Sequence, residues 1–117
     1  MALPVKFTFS ALRSIDEALA WWSRNRDKAP HALAEDLEQA LALISSYPQI
    51  GTRARQAGLA GVRRVYLSRI RYHLYYRVAG GSAPKVEVLA FWHSSRIARS
   101  IREPTERYAV TELAAAA

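Results

Sequence analysis

The chain has 117 residues, half of them hydrophobic and 23% charged, which bounds it to one globular core and excludes the low-hydrophobicity signature of disorder. A formal net charge of +7 and a pI near 10.2 direct it toward an anionic partner: nucleic acid, an acidic protein or an anionic surface. The absence of cysteine excludes disulfides, thiolate metal sites and cysteine nucleophiles, and fits a reducing, cytoplasmic bacterial setting.

The N-terminal MALPVKFTF has one Lys and no long apolar run, so neither a signal peptide nor a membrane helix is expected. Val5, Phe7 and Phe9 alternate with Lys6 and Thr8, the period-2 pattern of a half-buried strand. Ser10 is placed to cap a following helix, in which Leu12, Ile15, Leu19 and Trp22 recur at 3.6-residue spacing beside Ala11 and Ala18. After a short polar link, Pro30 suits a first helical position, and Leu33, Leu37, Ala40, Leu41 and Ile44 form a second apolar stripe. The short link makes the two helices an antiparallel hairpin that ends before Pro48, because a residue preceding proline is pushed out of the helical region. Residues 49–60, with Gly51 and Gly58, read as loop.

Three strands follow, Val62 to Leu67, Tyr72 to Val78 and Lys85 to Trp92, the last two joined by the turn Ala79-Gly80-Gly81-Ser82. In the middle strand, alternation puts Tyr72, Leu74, Tyr76 and Val78 on one face and Arg71, His73, Tyr75 and Arg77 on the other. The third strand is apolar on both faces, which suits a central position and leaves the direction of His93 open. Ser94 or Ser95 can cap a short last helix containing Ile97 and Ile101 and ending before Pro104. The expectation is therefore one α+β domain over residues 1–117, with a helical hairpin on a small twisted antiparallel sheet and residues 104–117 as a tail.

Charge is segregated along this order. Six of the ten acidic residues precede residue 39, whereas eight basic residues and no acids lie between 39 and 86. Arg outnumbers Lys fourteen to three, and the planar guanidinium suits phosphate, carboxylate and aromatic partners. Arg63, Arg64, Arg69, Arg71, His73, Tyr75 and Arg77 are the candidate nucleic-acid or partner-binding face, the arginines neutralising phosphates and the tyrosine stacking on bases. The ordinary alternative is a solvated sheet face. His93 and Arg96 stand where a strand leaves the sheet, so an imidazole can move a proton there beside a guanidinium that stabilises developing charge. The alternative role is structural, with His93 fixing the corner by a backbone hydrogen bond and Arg96 paired to an acid. No phosphate loop, HExxH, GxSxG or metal-spaced carboxylate pair occurs, and the three histidines are scattered, so no metal and no cofactor are expected.

The order strand, hairpin, P-x-x-G loop from Pro48 to Gly51, then G-x-R-R-x-Y-L, R-Y-x-L-Y-Y-R-V and V-x-V-L-x-F-W-H-x-x-R resembles the RelE/ParE toxin superfamily, in its ParE-like, plasmid-stabilisation form, over residues 5 to about 102. That resemblance implies a toxin with a cognate antitoxin encoded by an adjacent gene, the pair forming a heterotetramer or larger complex. RelE-like members cut mRNA on the ribosome through the ribose 2′-hydroxyl; ParE-like members inhibit DNA gyrase. For the former, the resemblance implies Arg63 or Arg64, Arg71 and Arg96 as phosphate ligands and His93 as the proton-transfer group. The chain departs from that pattern in lacking a lysine-rich cluster and a tyrosine close after Arg96, the nearest being Tyr108. The expectation is thus a ParE-like gyrase inhibitor, with a RelE-like mRNA interferase and a non-toxic protein-binding module as alternatives.

Overall fold

In the computed structural model, which describes residues 2–96 and 100–104, β1 (Val5–Phe7) leads directly into α1 (Phe9–Asn25). The cap is Thr8 rather than Ser10: its hydroxyl accepts the Ala11 N–H at 3.1 Å, which starts the helix before the expected position and leaves Phe9 half exposed. Ala11, Ile15, Ala18 and Trp22 are buried, the inner edge of the expected stripe. The Trp22 indole donates to the Ala29 carbonyl at 2.8 Å, tying the link between the helices to α1. Helix α2 (Ala32–Ser46) begins two residues after Pro30 and ends, as expected, short of Pro48.

The segment expected to be loop contains a two-residue strand, β2 (Thr52–Arg53), and a single 3₁₀ turn at Arg55–Ala57. Then come β3 (Arg63–Leu67), β4 (Tyr72–Ala79) and β5 (Lys85–His93). The sheet order is β1-β5-β4-β3-β2. Every pairing from β2 to β5 is antiparallel, while β1 joins β5 in parallel, Val5 opposite Val86 and Phe7 opposite Val88. The sheet is therefore mixed, because β1 and β5 are separated by most of the chain and no tight turn dictates their relative direction.

Two clusters sandwich the sheet. The larger packs both helices against Phe7, Leu74, Tyr76, Val86, Val88 and Phe91; the smaller lies on the opposite face, where Ala54, Ala57 and Val62 cover Tyr75, Leu89 and Ala90. Tyr75 pairs with Ala90 but Tyr76 with Val88, so Leu89 is an extra residue, a β-bulge. Strict alternation from Val86 would put His93 on the side of Glu87; the bulge reverses parity, so Phe91 joins the helix-side cluster and His93 shares the face of its partner Tyr72.

Of the expected last helix, residues 94–96 form a turn and bend and 100–104 have no regular structure; 97–99 lie outside the described residues, as does the tail from residue 105.

Candidate functional site

Arg71 closes the four-residue turn between β3 and β4, with φ of 64°, a left-handed conformation that costs an ordinary side chain of order 1 kcal/mol. Two backbone hydrogen bonds, each 2.7 Å, hold it: its N–H donates to the Leu67 carbonyl, and its carbonyl accepts from Ser94 N–H. The second bond joins this turn to the exit of β5, so Arg71, His93 and Arg96 are carried to one end of the sheet.

The His93 Nδ1 accepts the Ser95 backbone N–H at 3.1 Å and lies 2.8 Å from the Ser95 hydroxyl. Since a backbone N–H can only donate, the neutral ring carries its proton on Nε2. The imidazole meets Tyr72 edge-on, with centroids 5.2 Å apart, and faces a shallow depression of about 290 Å³ shared with Ser14, Glu17, Trp21 and Arg96. The Arg96 guanidinium stacks 4.8 Å above the Trp92 ring. An open depression with a hydrogen-bond-donating imidazole and a guanidinium can hold an anionic group; His93 is also the corner-fixing residue that the structural alternative described.

On the opposite face, cross-strand pairing lines up Tyr66, His73 and Trp92 across β3, β4 and β5. Ring centroids are 4.8 Å apart for Tyr66 and His73, 6.1 Å for His73 and Tyr75, and 5.2 Å for Tyr75 and Trp92. His73 Nδ1 is buried with no hydrogen-bond partner, and burial, with a smaller contribution from the nearby Arg64 charge, pushes the ring pKa below the ordinary histidine value. His73 is therefore a neutral imidazole at neutral pH beside a cation, on the half of the sheet that stays open.

The remaining residues of the expected face divide by partner. Arg69 donates to Asp36, Glu35 and the Ala32 carbonyl, clamping the β3–β4 turn to α2. Arg77 donates to Glu87, which is 1% exposed, and to Glu103; Glu103 first and then Glu87 hold the guanidinium more firmly protonated than an ordinary arginine. Arg63 donates to the Gln49 and Gly51 carbonyls at 3.2 and 2.8 Å. Tyr75 is 4% exposed beneath the 54–62 segment and Ile101, so it offers no stacking surface. The side of β4 bearing Arg71, His73, Tyr75 and Arg77 is thus not wholly free: Arg64, Tyr66, His73 and Trp92 form its open half.

Sequence reading missed Glu87 as the internal partner of Arg77, although the two residues are directly paired across β4 and β5. It also missed the Tyr66–His73–Trp92 row; counting outward from the Ser68–Arg71 turn pairs Tyr66 with His73 and supplies the signal. Among the described residues, no group of three or more His, Cys, Asp or Glu stands close enough to hold a metal ion, and no helix is long and apolar enough to cross a membrane.

Residues 5–98 match the model of the ParE toxin family of the type II toxin–antitoxin system parDE. Among solved structures, the chain is similar to one in the toxin–antitoxin complex RelBE2 from Mycobacterium tuberculosis, at 26% identity and TM-score 0.57, over 80% of this chain and 99% of that one. A chain of the chromosomal ParDE system from P. aeruginosa superposes at TM-score 0.61 with 22% identity, over 79% and 96% of the two chains. A mutant of the E. coli toxin RelE in its free state superposes at TM-score 0.51 with 21% identity, over 80% and 85%. No curated protein matches the chain by sequence.

Proposed function

Because the chain belongs to the ParE toxin family of type II toxin–antitoxin systems, we propose that it is the toxin of such a module, restrained by a cognate antitoxin and acting by binding DNA gyrase. The observation that carries gyrase binding over RNA cleavage is the separation of the strand phosphate ligands from His93. Arg71 and Arg96 lie at the His93 end of the sheet, but Arg64 leaves the opposite face and Arg63 is anchored on the Gln49 and Gly51 carbonyls at the far end of β3. The His93 ring packs on Tyr72 on the helix side, whereas Arg64 and His73 lie on the other side. A phosphodiester held by Arg64 is separated from His93 by the sheet, and general acid–base catalysis needs the group within hydrogen-bond reach.

Similarity to chains from the RelBE2 and ParDE complexes supports an antitoxin partner. A net charge of +7 favours an acidic segment, and a partly disordered one would order as it covers the toxin. The pair would assemble as a heterotetramer or larger complex. Supercoiling by purified gyrase tests this reading: inhibition by the toxin, relieved by the antitoxin, supports it, and unchanged supercoiling overturns it.

RNA cleavage has one observation in its favour. His73, a neutral imidazole flanked by Tyr66, Trp92 and Arg64, combines a proton acceptor, stacking rings and a phosphate ligand on one open surface. That reading expects ribosome-bound mRNA to be cut, and the cutting to be lost in His73→Ala. Unimpeded growth on expression without antitoxin would instead point to a non-toxic binding module.

A further inference from the structure

Three arginines line a separate cleft at the opposite end of β3 from Arg71. Arg53 on β2 and Arg63 on β3 are direct cross-strand partners, so their side chains leave the same face of the sheet side by side. Like charges placed directly opposite destabilise a strand pair. Arg55 opens the 3₁₀ turn that follows, and all three border a cleft of about 470 Å³ walled by Gly58, Leu59 and Gly61. None of the lining residues is acidic, and Arg53 and Arg55 are exposed, their side chains with no hydrogen-bonding or ion-pairing partner among the described residues.

The cleft has a fixed shape. One nitrogen of Arg63 is anchored on the Gln49 and Gly51 carbonyls, which orients the fork and leaves its other nitrogens to a ligand. Gly58 and Gly61 sit at φ of 78° and 80°, where other residues are strained, and set the curve of the wall. A ligand here gains the repulsion relieved between Arg53 and Arg63 in addition to its own contacts.

We propose that Arg53, Arg55 and Arg63 form a phosphate-binding cleft that takes the backbone of a nucleic acid, distinct from the His93–Arg96 end of the sheet. An acidic peptide is the less suitable occupant, because peptide docking draws its energy from a buried apolar anchor. The one large apolar side chain in the lining, Leu59, is already half-buried against the smaller cluster. Backbone phosphates need only guanidinium and amide donors on a pre-shaped surface. The proposal stands apart from the gyrase reading and survives its failure.

The test measures binding of the full chain to a short labelled DNA duplex and to an RNA strand of the same sequence as salt is varied, which separates the two sources of phosphate. Arg53→Ala/Arg55→Ala should weaken binding to at least one of them by about tenfold or more and flatten the log–log salt slope by about 1.4 to 1.8, since each phosphate contact contributes about 0.7 to 0.9. Arg13→Ala/Arg24→Ala, which removes the same charge from exposed positions on α1, should cost less than about threefold. Equal losses in the two variants would reduce the effect to bulk charge and overturn the proposal. So would unchanged affinity in Arg53→Ala/Arg55→Ala, or a poly-glutamate peptide that binds while neither nucleic acid does.

Discussion

Arg77 and Glu87 show how a basic face is made compatible with a folded sheet. Glu87 is 1% exposed and directly opposite Arg77, so its charge is tolerable only while the guanidinium stays in place. Arg77→Ala should cost about 3 kcal/mol in chemical denaturation, because it strands a buried carboxylate, whereas replacing the pair together by Met and Leu should cost far less. Equal losses in the two variants would show that the charge pairing is not what stabilises this part of β4 and β5. His73 makes a second prediction. Its native pKa lies below the unfolded value, so on acidification the unfolded chain takes up the proton first. Stability from this group is complete above about pH 6.5 and is lost as pH falls through the depressed native value. His73→Phe keeps a ring against Tyr66 and removes the titration, so its thermal midpoint should fall less between about pH 7 and about pH 5 than that of the parent. The same acid loss in both proteins would assign the drop to other groups.

At the scale of elements, the junction between α2 and the sheet rests on Tyr76. Its hydroxyl accepts the Gly51 N–H at 2.9 Å and donates to the Pro48 carbonyl at 2.8 Å, fixing the segment from which β2 starts. Tyr76→Phe should cost about 1–3 kcal/mol by leaving Gly51 N–H buried without an acceptor. A Cβ at Gly51 would meet the same hydroxyl at 2.6 Å and the Arg64 carbonyl at 3.0 Å, so Gly51→Ala should also destabilise. Since both changes act on one contact, the double variant should lose less than the sum of the two; additive losses would contradict this account of the junction. The helix stripes and the β3–β4 register were legible in the sequence, because 3.6-residue spacing and a four-residue turn leave few alternatives. The bulge was not: Leu89 and Ala90 are both apolar, and an apolar run hides a change of parity, which is why the direction of His93 stayed open. Nor was β2, whose two residues are exposed and carry no alternation, or the choice of Thr8 over Ser10 between two hydroxyls. The arginines could be listed as one basic face from the sequence, but their division into clamps, an internal ion pair and open cations depends on acids from α2, β5 and residue 103.

At the scale of the whole molecule, charge segregation along the chain becomes segregation in space. Acids concentrated in the helices pair with Arg69 alone among the arginines of residues 53–77, leaving the side chains of Arg53, Arg55, Arg64 and Arg71 without hydrogen-bonding or ion-pairing partners among the described residues. A surface with this charge distribution favours association with polyanions through steering and counterion release. Gyrase supercoiling in the presence of the parent toxin and of a His93→Ala/Arg96→Ala variant tests the central claim most directly. Gyrase binding without phosphodiester chemistry predicts that the parent inhibits supercoiling, that the variant retains more than about a third of that potency, and that ribosome-bound mRNA stays intact with both. Unimpaired supercoiling together with mRNA cut on the ribosome by the parent would contradict it.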